Sequence, residues 1–293
     1  MVVPPPQNPS SSSAKVVLIT GCSSGIGKAL ALEFRQQGYQ VYATARNLAD
    51  IEALAQPGIA TLKLDVTCPA EIATAIDTLV AETQGIDILV NNAGYGVMGP
   101  LLDIPNGELV NQFQTNVFAP IHLIQQVVPL MGHGGLVLNL GSVSGVMSTP
   151  FAGSYCASKA ALHALSDALR MELAPFKIQV VTVRAGAIQS QFGQTASQMA
   201  ERLFSANSRY QQLAPQIQAR ALASQNQATP AAVLAQKLVH RIQHSDRLPP
   251  EIAIGNKSRT LPLLKRWLPT RLLDRILMRK FGLGDWQPGP PSN

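Results

Sequence analysis

Short apolar segments alternate with longer amphipathic segments along most of this chain of 293 residues. The short segments are rich in β-branched residues and suit buried strands, whereas the longer ones repeat apolar residues at helical spacing. Strands that alternate with helices favour a parallel sheet with helices on both faces, so we predict a single domain with a doubly wound α/β fold. Seven strands are predicted, at Val16–Ile19, Gln40–Thr44, Ala60–Leu64, Asp87–Asn91, Leu136–Leu140, Ile178–Val183 and Glu251–Ile254. The main helices are predicted at Ala70–Thr83, Asn106–Leu130, Tyr155–Leu173 and Pro230–His244.

Composition excludes several other classes of protein. Hydrophobic residues make up 46% and charged residues 14%, which is too apolar for a disordered chain. No apolar run approaches the roughly 18 residues of a membrane-spanning helix. The 3 cysteines have unrelated spacings, so we predict neither disulfides nor a metal site. Residues 1–14 lack the features of a signal peptide and are predicted to be a disordered tail, which favours a cytoplasmic protein.

The positive charge is concentrated near the C-terminus. The formal net charge is +6, yet residues 257–280 alone contain eight basic residues and one acid, so the rest of the chain is close to neutral. Neither interleaved aromatic residues nor a known reader motif accompanies this basic segment. We therefore predict no nucleic-acid partner.

A glycine-rich turn, Thr20–Gly27, follows the first predicted strand. Glycine permits a tight turn and lets backbone N–H groups approach a pyrophosphate at a helix N-terminus. The same residues also suit an ordinary helix entry, so the turn by itself is a weak signal. Its position directly after the first strand favours dinucleotide binding.

The end of the second predicted strand indicates which dinucleotide is preferred. An acid there binds the ribose 2′-OH of NAD, whereas an arginine accommodates the 2′-phosphate of NADP. The segment Val41–Asn47 has no acid and one arginine, Arg46. Arg46 is also compatible with a solvated surface position, but its place in the chain favours NADP(H).

Tyr155 and Lys159 stand four positions apart in a predicted helix. This spacing puts both on one helix face, so the ammonium group can lie near the phenol. A tyrosine with its ordinary pKa of about 10 is a poor acid–base catalyst at neutral pH, and a neighbouring cation lowers that pKa. In isolation the pair is more typical of an ordinary helix surface.

Together with other residues at fixed places, these features resemble the short-chain dehydrogenase/reductase family over about residues 15–255. Ser142 lies 13 positions before Tyr155, the usual family spacing. The resemblance implies a Rossmann-type fold and hydride transfer between NAD(P) and an alcohol or carbonyl carbon. The residues that carry it are the TGxxxGxG turn at Thr20–Gly27, Asp65, Asn91–Gly94, Asn116, Ser142, Tyr155 and Lys159.

The resemblance also implies a role for each catalytic residue. Tyr155 would protonate the carbonyl oxygen during reduction, and Lys159 would lower its pKa and hold the nicotinamide ribose. Ser142 would hydrogen-bond the substrate oxygen. Asn116 would hold a water that links Lys159 to solvent, although a purely structural role in a kinked helix would also explain it.

The cofactor contacts are implied in the same way. Ser24 and Arg46 would hold the 2′-phosphate, Asp65 would contact the adenine amine, and Asn92 would line the cofactor. The family's Pro-Gly pair is Ala185-Gly186 here and its following Thr is Ser190; Cys156 stands where Ser is common. None of these departures removes a catalytic group. The full set of predicted cofactor-binding residues is Gly21, Ser23, Ser24, Gly25, Ile26, Gly27, Arg46, Asp65, Val66, Asn92, Ala93, Gly94, Tyr155, Lys159, Gly186, Ile188 and Ser190.

The sequence resembles the steroid-, retinol- and 1-acyl-dihydroxyacetone-phosphate-reducing members most, which implies a bulky apolar carbonyl or alcohol substrate. Residues 189–227 lack strand signals and are predicted to form a helical substrate lid. The resemblance also implies a homodimer or homotetramer. The alternatives are a catalytically spent NADP-binding regulatory protein and a lipid-surface binding module. Val97, Met98, Leu101, Leu102 and Phe192 are candidates for an apolar pocket, although core packing explains them equally well.

Residues 256–293 are predicted to form a basic amphipathic C-terminal extension of two short helices. An apolar stripe is expected beside a row of arginines. Such a helix suits an anionic membrane surface, but it would equally cap the domain or a second subunit. The stripe comprises Leu272, Leu273, Ile276, Leu277 and Phe281, and the row comprises Arg271, Arg275 and Arg279.

Overall fold

Seven parallel strands form one sheet in the computed structural model, which describes residues 14–132, 134–205 and 207–287. The spatial order is β3-β2-β1-β4-β5-β6-β7. The predicted doubly wound α/β fold in a single domain is confirmed, and the Rossmann-type topology with it. The strands are β1 Val16–Ile19, β2 Gln40–Ala45, β3 Ile59–Lys63, β4 Ile88–Asn91, β5 Leu136–Ser142, β6 Gln179–Ala185 and β7 Glu251–Ile254.

Helices cover both faces of this sheet, because strands buried on two sides need apolar partners on each. One apolar core joins the sheet to α1 and α8, and a second joins its other face to α2 and α4. The helices are α1 Gly25–Gln36, α2 Pro69–Glu82, α3 Asn106–Phe113, α4 Ala119–Val127, α5 Gly153–Glu172, α6 Phe192–Leu203, α7 Ala214–Leu222, α8 Ala231–Gln243, α9 Thr260–Trp267 and α10 Thr270–Lys280.

The segment predicted as one helix, Asn106–Leu130, is interrupted. Between α3 and α4 a π-helical turn occupies Gln114–Phe118, and a 3₁₀ turn follows α4. Pro120 offers a physical reason, since it has no N–H to donate to the carbonyl of Asn116 one α-helical turn earlier. The whole predicted stretch is helical, but its hydrogen-bonding pattern changes at this point.

Two helices, α6 and α7, occupy the segment predicted to be the lid. They meet the C-terminal extension in a third apolar cluster, which also contains Tyr155 and Phe192. The extension contributes the buried Phe281, together with Leu277 and Trp286. The indole of Trp286 donates from Nε1 to Gln212 Oε1 at 3.2 Å, so the extension packs against the lid region.

The predicted apolar stripe of the extension does not lie on one side of the structure. Leu277 and Phe281 face the protein, whereas Leu272 and Ile276 are 44% and 47% exposed. In α9 the side chain of Trp267 is 76% exposed. The extension therefore uses one apolar row for packing and presents a second to solvent beside its basic residues.

Among the described residues, no helix is both long and apolar enough to cross a membrane. The predicted disordered tail, apart from Ala14, lies outside the residues that the structure describes.

Candidate active site

The carboxyl ends of the central strands bring most of the candidate residues to one edge of the sheet. β1 leads into the glycine turn, β4 leads into Asn92–Gly94, and β5 ends at Ser142. Helix α5 carries Tyr155 and Lys159 in its first two turns. Because β1 lies between β2 and β4, the connections leave the sheet in opposite directions here, and ligands bind in such a crevice in this architecture.

The glycine turn after β1 is packed against the loop after β4. Gly21 has a φ of +72°, a conformation that L side chains rarely adopt. A Cβ on Gly27 would collide with the carbonyl oxygen of Gly21. The Asn92 amide donates from Nδ2 to the carbonyls of Thr20 at 2.8 Å and of Gly21 at 2.9 Å. Asn92 therefore holds the turn in shape.

The first turn of α1 has polar groups that suit an anion. Ser24 is the N-cap residue, but its hydroxyl makes no capping hydrogen bond, and the turn contains no acid. A Cβ on Gly25 would come within 2.7 Å of the Ser190 Cβ, so only a glycine lets the two segments approach this closely. The backbone N–H groups that open a helix, together with the Ser24 hydroxyl, suit a phosphate group. Ser23 is exposed beside this turn, and Ile26 is half-buried.

Across the crevice from α5 lie the ends of β2 and β3. Ala45 is buried and Arg46 is exposed directly after β2, and within the described part of the chain Arg46 forms no ion pair. Asp65 accepts at Oδ1 from the Thr67 backbone N–H at 2.9 Å and from its hydroxyl at 2.7 Å. These bonds hold the Asp65 carboxylate in place, with Val66 buried next to it.

Ser142 and Tyr155 meet at the end of β5. The Ser142 Oγ accepts from the Ser144 backbone N–H at 3.1 Å, which leaves its own proton free to donate. Burial raises the pKa of Tyr155 to about 12, against the lowering effects of a hydrogen bond with Ser142 and of the positive charge of Arg220. The phenol is therefore a protonated, buried acid.

Lys159 departs from one expectation. Its ammonium donates from Nζ to the carbonyl of Leu140 in β5 at 2.7 Å, and burial lowers its pKa to about 8. The positive charge of Lys159 does not lower the pKa of Tyr155. Its Nζ would lie 3.6 Å from a Cβ on Gly94. The ammonium thus faces the loop after β4 rather than the phenol.

Asn116 lies in the π-helical turn and is almost completely buried. Its Nδ2 donates to the Tyr95 carbonyl at 2.9 Å and to Ser158 Oγ at 3.0 Å, and its Oδ1 accepts from the Tyr95 backbone N–H at 3.1 Å. Both amide hydrogens are therefore used in joining the loop after β4 to α5. This geometry gives Asn116 an anchoring role; its link through water to Lys159 stays a prediction.

Sequence reasoning missed His163. Its Nε2 accepts a hydrogen bond from the backbone N–H of Ser142 at 3.2 Å, and Cβ atoms on Gly141 or Gly145 would collide with its ring. The available signal was spacing, because Tyr155, Lys159 and His163 follow one another every four residues on one face of α5. His163 supports the strand end that carries Ser142.

The segment after β6 approaches the same crevice. A Cβ on Gly186 would collide with the Asn256 carbonyl, so close packing requires glycine there. The Ser190 backbone N–H donates to Gln225 Oε1 at 3.2 Å, and Gln225 Nε2 donates to the carbonyl of Ile188 at 3.4 Å. Gln225 was not predicted; it lies at the end of the lid region and holds the segment that carries Ile188 and Ser190.

The side of the crevice next to Tyr155 is apolar. The Phe192 ring lies 5.2 Å from the Tyr155 ring, and Met98 and Ile217 belong to the same buried cluster. Val97 is also buried. Leu101 is 57% exposed and Leu102 is 78% exposed, so core packing does not explain these two pocket candidates.

The family model for short chain dehydrogenases matches residues 15–201. The chain belongs to the short-chain dehydrogenase/reductase family. It is similar to the uncharacterized oxidoreductase YbbO of Escherichia coli, with 35% identity over 90% of this chain and 94% of that protein. It is 38% identical to the NADPH-dependent 1-acyldihydroxyacetone phosphate reductase of Schizosaccharomyces pombe over 60% of each chain. A solved short-chain dehydrogenase from Streptomyces avermitilis superposes with a TM-score of 0.76 at 28% identity, over 94% of this chain and 100% of that one.

Members of this oxidoreductase family use nicotinamide cofactors, and the residues of the crevice fit one. A Cβ on Gly27 would collide with the turn after β1, and a Cβ on Gly25 would collide with Ser190, so glycine is required at both positions. The Ser24 hydroxyl makes no capping bond, and Arg46 is an exposed cation without an ion pair within the described ranges. These groups would hold the phosphates, Asp65 and Asn92–Gly94 would flank the adenosine half, and Tyr155 and Lys159 would flank the nicotinamide ribose.

Proposed function

We propose that this short-chain dehydrogenase/reductase uses NADP(H) to interconvert a carbonyl and a secondary or primary alcohol on a bulky apolar substrate. One observation carries the proposal: Ser142, Tyr155 and Lys159 converge at the end of β5 beside an apolar cluster formed by the lid helices. The catalytically spent alternative is not favoured, because all three groups are present and arranged around one edge of the sheet.

The proposed chemistry of reduction depends on the buried phenol. NADPH, when bound, supplies the hydride that reduces the carbonyl carbon. Tyr155 donates its phenolic proton to the carbonyl oxygen, and the Ser142 hydroxyl donates a hydrogen bond to the same oxygen. With a pKa of about 12, Tyr155 is reliably protonated at neutral pH, which suits a proton donor better than a base.

Lys159 contributes a positive charge beside the reacting groups. Its ammonium is held by the Leu140 carbonyl and can also donate to ribose hydroxyls at the mouth of the crevice. The Ser142 hydroxyl, which hydrogen-bonds Tyr155, stabilises the negative charge that develops on the phenol as it gives up its proton. Asn116 keeps the loop after β4 in contact with α5, so that this arrangement is preorganised.

The preference for NADP(H) rests on the end of β2. Ala45 offers no carboxylate to repel a 2′-phosphate, and Arg46 is exposed and without an ion pair within the described ranges. Arginine binds phosphate through charge-assisted, often bidentate hydrogen bonds. The Schizosaccharomyces relative is named an NADPH-dependent reductase, which supports the same choice.

A lipid-like substrate is supported by the lid region and by the extension. The cluster around Tyr155 includes aromatic and aliphatic side chains from α6, α7 and the C-terminal extension. Lys265 of α9 donates to the carbonyl of Val146 at 2.6 Å, close to the 3₁₀ turn that follows Ser142. The exposed apolar and basic face of α9 and α10 is therefore next to the proposed site, where an anionic membrane surface would deliver apolar substrates.

We also propose that the chain forms a homodimer or homotetramer. The outer surface of α3, the π-helical turn and α5 exposes Val110, Phe118 and Met171 to between 53% and 64%. Apolar side chains that remain this exposed on neighbouring elements are typical of contact surfaces. Light scattering of the full chain and of Phe118→Glu tests this, since we expect the variant to be smaller. An unchanged mass would place the contact elsewhere.

The function is tested with the purified full chain and a panel of apolar ketones and aldehydes, each supplied with NADPH or NADH. We expect NADPH to be consumed with at least one long-chain or polycyclic carbonyl, and NADH to be used less efficiently. Binding of NADPH without consumption across the panel would instead support the regulatory alternative.

A further inference from the structure

Arg220 of α7 is a buried guanidinium that the proposed reaction does not use. Arg220 is only 7% exposed, and its Nε donates a hydrogen bond to Thr149 Oγ1 at 2.7 Å. Within the described ranges no carboxylate forms an ion pair with it. By contrast, Arg184 and Arg202 each pair with a glutamate.

A buried guanidinium without an anion is costly. Arginine stays protonated in proteins, and burial of an ion is normally offset by a countercharge together with hydrogen bonds. Thr149 and the side chain of Cys156 supply neutral hydrogen-bond partners, and the C-terminal turn of α7 supplies a weak negative dipole. All of them leave the positive charge itself uncompensated.

The surroundings of Arg220 indicate where the missing anion would sit. Arg220 lies on α7 between Ile217 and Ala221, which both pack in the apolar cluster that contains Tyr155. Thr149, to which Arg220 donates, lies six residues before Tyr155, and the positive charge of Arg220 lowers the pKa of the Tyr155 phenol. An anion bound to Arg220 would therefore lie near the proposed position of the substrate carbonyl.

We propose that Arg220 binds an anionic oxygen group, carboxylate or phosphate, that the apolar substrate carries a few bonds from its carbonyl. This inference rests on the proposed function for its catalytic consequence, but the binding itself needs no turnover. The site would then select substrates with two features, an apolar chain that packs among the lid residues and a negative head beside Tyr155.

Two matched pairs of ketones test the proposal with NADPH and the full chain. The first pair is 1-palmitoyl dihydroxyacetone phosphate and the same molecule without its phosphate. The second pair is 4-oxohexadecanoate and its methyl ester. The variants are Arg220→Gln, which removes the charge, and Arg220→Lys, which keeps it; Arg209→Gln is a control because Arg209 is exposed in the same region.

We expect the wild-type chain to prefer the charged member of at least one pair by tenfold or more in kcat/KM, mainly through KM. Arg220→Gln removes the preference, Arg220→Lys keeps part of it, and Arg209→Gln leaves it unchanged. A preference within the first pair alone identifies a phosphate site, and one within the second pair alone identifies a carboxylate site. If the wild type does not distinguish the members of either pair, or if Arg220→Gln slows both members equally, the proposal is wrong.

A binding measurement separates this proposal from the proposed function. In the Tyr155→Phe background, calorimetry with both charged ketones reports affinity without turnover, and thermal unfolding confirms that Arg220→Gln is folded. If no ketone is reduced but a charged one binds in an Arg220-dependent way, the anion site stands and the proposed function fails. If uncharged ketones are reduced but Arg220→Gln alters no affinity, the proposed function stands and the anion site fails.

Discussion

The backbone N–H of Ser142 donates a hydrogen bond to Nε2 of His163 at 3.2 Å. The acceptor must be an unprotonated ring nitrogen, so this contact holds only while His163 is neutral. Burial, together with the positive charges of Lys159 and Arg184, lowers the pKa of His163 to about 4, whereas the negative charge of Asp167 opposes them. Acid that protonates His163 therefore removes the hydrogen bond that supports the end of β5 at Ser142.

We expect the free energy of unfolding to fall as pH decreases from about 6.5 to about 4. The unfolded chain takes up a proton on His163 at its ordinary pKa of about 6.5, before the folded chain does, so protons favour unfolding in this window. The effect is on the order of 2 kcal/mol. Urea unfolding of the wild type and of His163→Gln, whose side-chain oxygen can also accept from Ser142, measures it. A variant with the same pH slope as the wild type would contradict the assignment to His163.

The pKa of Lys159 predicts an alkaline limit for carbonyl reduction. Burial lowers that pKa to about 8, whereas Tyr155 stays protonated up to about 12. We therefore expect kcat/KM for the carbonyl to fall above about pH 8, by about tenfold for each pH unit. The Lys159→Arg side chain stays charged over this pH range, so the residual activity of this variant is not expected to fall above pH 8. The surface control Lys237→Arg is expected to show the same fall as the wild type. A wild-type rate that stays flat to pH 10 would show that the charge of Lys159 is not required.

The strands and the Tyr155–Lys159 pair were predictable because they depend on local periodicity. Buried parallel strands need continuous apolar runs, and residues four apart share a helix face. The π-helical turn was not predicted, although Pro120 was visible in the sequence, because the proline could equally have kinked an α-helix.

Other features depend on contacts between distant parts of the chain. The position of Lys159 Nζ depends on the Leu140 carbonyl, and the role of His163 depends on Ser142, which lies 21 residues away. The burial of Arg220 depends on Thr149, 71 residues away. No local pattern carries such information, which is why these contacts could not be predicted from the sequence.

The charge at the end of β2 predicts cofactor choice. Arg46→Ala is expected to weaken the binding of NADPH about 10- to 100-fold, because a charge-assisted hydrogen bond is lost. The binding of NADH is expected to change little. Ala45→Asp combined with Arg46→Ala is expected to shift the preference further, because a carboxylate repels the 2′-phosphate and can bind a 2′-OH. The ratio of kcat/KM values for the two cofactors measures this, with Arg241→Ala as a surface control. An unchanged ratio would show that the phosphate is held elsewhere.

The exposed face of α9 and α10 predicts attachment to anionic vesicles. Trp267 and Ile276 are exposed beside basic residues that each contribute about 1 kcal/mol near such a surface. Truncating the extension would uncover the cluster that Phe281 fills, so point variants are preferable. We expect the full chain to sediment with anionic vesicles at low salt, Trp267→Ser with Ile276→Ser to reduce this, and Val80→Ser, an exposed position on α2, to leave it unchanged. If the full chain does not sediment with anionic vesicles, the extension serves packing alone.

The central claim, that the Tyr155 phenol supplies the proton for NADPH-dependent carbonyl reduction, is tested most directly by Tyr155→Phe. This variant loses one hydroxyl from a buried ring that packs on Phe192, so the fold and the cofactor crevice are expected to remain. We predict that NADPH binds almost as tightly as to the wild type, while turnover of any carbonyl that the wild type reduces falls by about 10²- to 10⁴-fold. Retention of more than about a tenth of the wild-type rate, with NADPH binding intact, would contradict the account.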